Sequence, residues 1–284
     1  MKRTWIIGLF VFLLADILGA QSKQLFILQT SDTHSRIEPI AASKSDRYAG
    51  MGGVVRRTSF VKAYRLQHPG ALLFDCGDIS QGTPYYNFFQ GEVEIQAMNG
   101  MGYDAMALGN HEFDFGMENL ARLCRMAKFP VLSANYDVTG SLLEGLVKPY
   151  VVLEREGLKI GVFGLSPKLE GLVQADKCAG IVFKDPIVAA REVVAKLREQ
   201  EGCDVVICLS HLGFLKGGDA AALEYDNGLV AQTRGIDLVL GGHTHMVMEK
   251  PEFLFNADGK EIPVLHSGSK GVYVGEIELS VEAR

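Results

Sequence analysis

Apolar residues along the chain fall into short runs, and each run stops at a polar break. The first, residues 25–29, alternates in part and ends in Thr30-Ser31-Asp32-Thr33-His34. Similar runs recur at 71–74, 105–108, 131–133, 150–153, 159–165, 205–209, 238–240, 263–266 and 272–279, and their length and composition predict strands. Between several of them the period becomes helical. The clearest case is 186–200, with Asp185 at the N-cap, Pro186 at the first helical position, and Ile187, Ala190, Val194 and Leu197 on one face. Strands alternating with helices predict an α/β protein. No Pro/Ser-rich linker, low-complexity tract or internal repeat divides the chain, so one large core and two small ones both fit its length.

The start of the chain has a different pattern. Lys2-Arg3 precedes an apolar run at 5–14, and Leu18-Gly19-Ala20 precedes the polar Gln21, the layout of a secretory signal peptide. Asp16 interrupts the run, which falls short of the roughly 20 apolar residues that a membrane span needs, so a cleaved leader is favoured over an anchor. The expected plan is a signal peptide at 1–20 and one domain at 21–284, exported to a periplasmic or extracellular space, with no stable membrane span after cleavage. No Cys follows Ala20, so lipid attachment there is not indicated. The five cysteines, Cys76, Cys124, Cys178, Cys203 and Cys208, are odd in number and scattered. They are read as buried thiols, with a single bridge as the alternative in an oxidising compartment.

With 48% hydrophobic residues in 284 and a net charge of −6, the chain is neither disordered nor collagen-like. Loss of Lys2, Arg3 and Asp16 with the leader leaves it slightly more acidic. That balance excludes the basic footprint of a protein that binds nucleic-acid polymers. It also means that any phosphate site needs local positive charge, from metals, helix N-termini or a partner.

The polar breaks carry the chemistry. Five strand-like runs lead directly into Asp32-Thr33-His34, Gly77-Asp78, Gly109-Asn110-His111-Glu112-Phe113-Asp114, Ser210-His211 and Gly241-Gly242-His243-Thr244-His245. Ligands of α/β sheets collect beyond the carboxyl ends of strands, so convergence of these five segments on one crevice is expected. Five of the seven histidines lie in them, which favours metal or catalytic use over a structural one. His68, beside Pro69, is read as structural. His266 ends a strand and is read as structural first, with support of the site as the alternative. Oxygen and imidazole donors without thiolate point to a hydrolytic site for Zn, Mn, Fe or a similar ion. If two ions are held about 3.5–4 Å apart, one carboxylate must bridge them, and Asp32 and Asp78 are the candidates for direct ligation.

Asp32-x-His34, Gly77-Asp78 with Gln81-Gly82, Gly109-Asn110-His111-Glu112-Phe113-Asp114, His211 and Gly242-His243-Thr244-His245, in this order, resemble the motifs of the calcineurin-like metallophosphoesterases. Within that group the chain is similar to the catalytic domain of the secreted 5′-nucleotidase family, over residues 25–279. The resemblance implies two packed mixed β-sheets flanked by helices. It implies two divalent metal ions, Zn, Mn or similar, one held by Asp32, His34, Asp78 and His245 and the other by Asp78, Asn110, His211 and His243. Asp78 is then the bridge, and a hydroxide between the ions attacks phosphorus. His111 corresponds to the family's catalytic histidine, which stabilises developing charge and protonates the leaving oxygen, and Asp114 to the acid that orients it. The competing reading of Asp114 is a cap on a helix starting near Met117.

Glu112 receives no family role and is assigned to surface or hydrogen-bonding use; Arg56-Arg57 and Lys168 are read as solvated. Long members of the family continue into a second domain that stacks the nucleobase and supplies arginines to the phosphate, whereas this sequence ends at Arg284, so a catalytic domain without that substrate-binding domain is expected. Tyr85-Tyr86 and Phe88-Phe89 are read as packing residues, with a stacking surface as the alternative. The implied function is release of phosphate from nucleotides; cyclic nucleotides, nucleotide sugars or other phosphate esters are the alternative, and a non-enzymatic exported binding protein is the least favoured reading. A separately encoded partner resembling the second domain is expected to sharpen nucleotide selection.

Overall fold

The computed structural model describes residues 22–42, 46–217 and 224–282; the leader assigned to 1–20 lies outside them. The strands run in chain order as β1 (Lys23–Thr30), β2 (Leu72–Asp75), β3 (Ala105–Ala107), β4 (Val131–Leu132), β5 (Tyr136–Asp137), β6 (Val147–Lys148), β7 (Tyr150–Arg155), β8 (Leu158–Leu165), β9 (Val182–Phe183), β10 (Val205–Ser210), β11 (Leu238–Gly241), β12 (Glu252–Phe255), β13 (Glu261–His266) and β14 (Gly275–Val281). The helices are α1 (Val54–Gln67), α2 (Pro84–Phe89), α3 (Glu92–Met101), α4 (Gly116–Met126), α5 (Pro186–Ala195) and α6 (Asp226–Gln232).

Two six-stranded sheets carry the fold, in the orders β14-β1-β2-β3-β4-β6 and β12-β13-β11-β10-β8-β7. In the first, β14 joins antiparallel to an otherwise parallel sheet. In the second, the parallel centre β13-β11-β10-β8 is closed by antiparallel β12 and β7. Both sheets are mixed, as the family resemblance implies.

The central strands are buried on both faces, which is why they read as nearly continuous apolar runs. Leu25, Ile27, Leu72, Phe74 and Leu132 of the first sheet meet Ile160, Val162, Ile207, Leu209 and Leu240 of the second in an inner core. On the outside, α1, α3 and α4 cover Leu28, Leu73 and Met106. On the opposite outside, α5 and α6 cover Phe163, Val206, Val239 and Val264. The layers therefore run helix, sheet, sheet, helix, with an apolar cluster at each of the three interfaces.

The expected helix at 186–200 forms as α5, followed by a π-helical turn at Lys196–Gln200. Asp185 caps it, accepting from the backbone N–H groups of Ile187 and Val188, both at 2.9 Å, and Ile187, Ala190, Val194 and Leu197 are all buried. The expected strand at 272–279 is shifted to Gly275–Val281, because Lys270 donates its backbone N–H to the Asp32 carbonyl and commits the preceding segment to the loop. The short strands β5, β6 and β9 and the mostly exposed edge strand β12 were not expected; too short or too exposed, they carry no periodic signal.

The two sheets approach closely at Gly164 of β8, whose carbonyl accepts from Ala134 N–H at 2.8 Å. A Cβ at Gly164 would lie 2.6 Å from the carbonyl carbon of Leu132, a backbone atom that cannot rotate away. Gly164→Ala is therefore expected to cost about 1–3 kcal/mol through overpacking, measured as a lower urea midpoint at unchanged m-value; an unchanged midpoint would show that the sheets separate freely there.

Candidate metal centre

Each segment singled out in the sequence leaves the carboxyl end of a strand: Asp32 and His34 after β1, Asp78 after β2, Asn110 after β3, His211 after β10, and His243 and His245 after β11. The first two segments are joined backbone to backbone, Asp32 N–H donating to Gly77 O at 2.9 Å and His34 N–H to Asp78 O at 3.1 Å. Five of these side chains sit on left-handed backbone, with φ of 50° at Asp32, 47° at His34, 56° at Asp78, 74° at His243 and 54° at His245. Such conformations in non-glycine residues cost about 1–3 kcal/mol each and persist where the surroundings enforce them.

The side chains form two groups, Asp32–His34–His245 and Asp78–His211–His243, in each of which the donor atoms all lie within 4.8 Å of one another. The groups abut, since His211 Nε2 is 3.0 Å from Asp78 Oδ2 and 3.8 Å from Asp32 Oδ1. Tautomers follow from the outer contacts. His211 Nδ1 donates to the Cys76 carbonyl at 2.5 Å and His34 Nδ1 to the Ser80 carbonyl at 3.1 Å, so the neutral rings turn bare Nε2 atoms inward. His34 Nε2 and His245 Nε2 are 2.9 Å apart. Asn110 Oδ1 and His211 Nε2 are buried without a hydrogen-bond partner. Lone pairs facing lone pairs and carboxylates need a proton or a cation between them, so this donor set fits divalent ions.

Without an ion, a proton on His211 Nε2 takes the cation's place between the ring and the carboxylates, and a bound ion would displace it. Burial opposes ionisation of Asp78, yet His211, with His111 and His34 behind it, holds the carboxyl well below its ordinary range. Burial also opposes the charged form of His211, but Asp78 and Asp32 outweigh it and raise the imidazole to about 10. Burial lowers His34 and His243.

His111 lies beside this centre. Its backbone N–H donates to Asp78 Oδ1 at 2.9 Å, and its Nδ1 donates to Asp114 Oδ2 at 2.8 Å. The hydrogen bond to Asp114 raises the ring to about 8 against the effect of burial. Asp114 makes no cap: α4 starts at Gly116 behind Phe115, without a side-chain cap bond.

Of the two uses expected for Glu112, hydrogen bonding is the one the structure shows, and the surface one is not. Only 2% exposed, Glu112 accepts from Asp78 N at 3.1 Å, Ile79 N at 2.8 Å and Gly109 N at 2.7 Å, clamping the turns that carry Asp78 and Asn110. Burial, with the nearby Asp78, raises its carboxyl to about 7. Arg57 is also buried rather than solvated, whereas Arg56 and Lys168 are exposed as expected. Two cations that no local signal in the sequence marked, Arg36 and Lys270, line a cleft of about 420 Å³ with His34, Asp78, Asn110 and His111; only the folded chain brings them to the centre. Tyr86 is core while Phe88 is exposed, and neither lines this cleft. His68 stacks on Phe26, outside the site. All five cysteines are free thiols; three are buried, and Cys124 and Cys178 are partly exposed.

The family model for calcineurin-like phosphoesterases matches residues 26–247. A 5′-nucleotidase of Rattus norvegicus is 34% identical over 283 residues, covering 93% of this chain and 47% of the relative. The snake venom 5′-nucleotidase of Gloydius brevicauda is 32% identical over 294 residues, covering 96% and 48%. Among solved structures, a 5′-nucleotidase precursor from Thermus thermophilus matches with a TM-score of 0.82 at 31% identity, over 90% of this chain and 51% of that one. The NAD nucleotidase of Haemophilus influenzae matches with a TM-score of 0.79 at 26% identity, over 93% and 55%. The chain thus spans about half the length of these relatives. On the strength of this match over most of its length, and of the centre that its motif residues build at the strand ends, the chain belongs to the calcineurin-like phosphoesterases.

Proposed function

We propose that residues 21–284 form a dinuclear-metal phosphohydrolase domain of the 5′-nucleotidase type, releasing phosphate from nucleotides. The observation that carries this reading is the meeting of two abutting three-residue donor groups, with bare imidazole nitrogens and carboxylates turned toward one another. Asp32, His34, Asp78 and His245 would hold one ion and Asp78, Asn110, His211 and His243 the other, with Asp78 as the shared ligand. Nitrogen and oxygen donors suit Zn or Mn. When bound, such a pair supplies an activated water and neutralises charge on the phosphoryl oxygens.

The chain's own residues complete the chemistry. Asp114 accepts from Nδ1 of His111 and leaves Nε2 to hold a proton for the leaving oxygen. Arg36 and Lys270 bring local positive charge to the cleft of an otherwise acidic chain. The nucleotide class is carried from the names of the similar proteins. Other phosphate esters are a second reading, favoured by a cleft whose described lining includes no Phe, Tyr or Trp to stack a base; base selection then falls to a second domain or a partner. Export is supported by the leader pattern. Among the described residues, no helix is long and apolar enough to cross a membrane.

A chelator should abolish phosphate release, and Mn or Zn should restore it; full activity at negligible metal content would overturn the two-ion reading. Asp78→Ala should be the most damaging single ligand change, because it removes a contact to both ions at once.

His111→Ala should keep both ions while losing on the order of 10²–10⁴ in kcat, whereas His243→Ala should also lose metal. Equal metal loss in the two variants, read by elemental analysis, would contradict this division of roles.

With the chain alone, AMP, a cyclic nucleotide and an aryl phosphate are expected to be hydrolysed weakly and with little discrimination. A high kcat/KM confined to AMP would show that this domain selects nucleotides unaided.

A further inference from the structure

Behind the metal centre lies a second polar cluster with no part in the chemistry above. Ser210, Gly241 and His266 are the last residues of the parallel neighbours β10, β11 and β13, and they stand in register, Ser210 beside Gly241 and Gly241 beside His266. Asp226, the first residue of α6, spans all three. Its Oδ1 accepts from Ser210 Oγ at 2.5 Å and its Oδ2 from His266 Nε2 at 2.7 Å. Ser210 and Asp226 are fully buried and His266 is 1% exposed.

The bridge crosses the face of β11 at the one residue without a side chain. A Cβ on Gly241 would meet His266 Nε2 and lie 2.6 Å from Asp226 Oδ2. Side chains alternate between faces along a strand. Val206, Cys208, Val239 and Val264 pack with the helix-side core, so Ser210, Gly241 and His266, two or four residues further along, belong to that same face. The next residue along β10 is His211 and the next along β11 is Gly242, which fall on the opposite face, toward the centre. The bridge therefore clamps from behind the strand ends whose front carries His211 and, just beyond, His243 and His245. Further bonds extend it, since Leu212 N donates to Ser210 Oγ at 3.1 Å and Asp226 N to Gly213 O at 2.9 Å.

We infer that Asp226 and His266 are positioning residues for the metal centre. By tying the ends of β10, β11 and β13 together across Gly241, they hold His211, His243 and His245 in reach of Asp32 and Asp78. This role rests on the reading that these residues bind metal, and it adds residues that touch neither ion nor substrate. Supporting groups of this kind commonly cost 10–100-fold in metal affinity when removed.

The test is Zn²⁺ affinity of the full chain by competition with a chromogenic chelator, alongside thermal unfolding. Asp226→Ala is expected to weaken Zn²⁺ by about tenfold or more. Asp226→Asn should stay within about threefold of the parent, because its oxygen still accepts from Ser210 and its amide donates to His266 in the other tautomer. Thr233→Val, at the end of the same helix, loses a buried bond from Thr233 Oγ1 to Leu229 O and should lower the Tm without moving Zn²⁺ affinity. Parent-like affinity in Asp226→Ala, failure of the Asn variant to rescue, or equal weakening by Thr233→Val would each overturn the assignment. If Asp226→Ala does not fold, His266→Leu against His266→Gln asks the same question, with retention expected only for Gln, whose amide still reaches Asp226. A parent that binds two Zn²⁺ and releases phosphate from no ester would refute the proposed activity and leave the positioning role standing; a parent that binds no Zn²⁺ would refute both.

Discussion

Two buried carboxylates govern the rest of the molecule. Asp32 is fully buried and Asp78 is 2% exposed, and an ionised carboxylate removed from water without partners costs several kcal/mol. Each is answered by groups from distant parts of the chain. Asp32 accepts from Ser31 Oγ and from the backbone of His243, and Asp78 accepts from the backbone of His111 and faces His211. Apart from the neighbouring Ser31, none of these contacts is available to a strand end in isolation; the one with His111 follows from the pairing of β2 with β3, and those with His243 and His211 from the meeting of the two sheets at a common edge. In the proposed dinuclear site, divalent ions would answer the charge of both carboxylates.

The sheets are stitched close to that edge. Gln29, fully buried in β1, donates from Nε2 to Gly241 O at 2.9 Å and to Leu265 O at 3.3 Å, linking the first sheet to strand ends of the second. Glu112 acts within the first sheet, where three backbone N–H groups from the turns after β2 and β3 converge on one carboxylate. The left-handed backbone at Asp32, His34, Asp78, His243 and His245 is held by this surrounding network, and its strain is the local cost of aiming five side chains at one place.

Much of the architecture was legible because its central strands are buried on both faces and end abruptly in polar residues, as at 25–34 and 205–211. Helix α5 was legible from its Asp-Pro start. What stayed hidden depended on contacts far apart in sequence. Whether Glu112 lies at the surface or accepts hydrogen bonds is open until β2 and β3 pair and bring Asp78, 34 residues away, to its carboxylate. Arg57, Arg36 and Lys270 carry no local pattern separating them from solvated cations, and their different fates follow from where the loops after β1 and β13 lie.

Strand cores, polar strand ends and a donor set of imidazoles, carboxylates and one amide without thiolate are all readable from the chain alone, because burial periodicity and ligand chemistry are local properties. How that inventory is grouped is a property of the folded state. Folding placed His34 with Asp32 and His245, set His211 between Asp78 and Asp32, and aligned Ser210, Gly241 and His266 so that Asp226 bridges them. The physical reason is that strand register and sheet packing relate residues far apart along the chain, and a change of one residue in register would turn every such side chain to the opposite face.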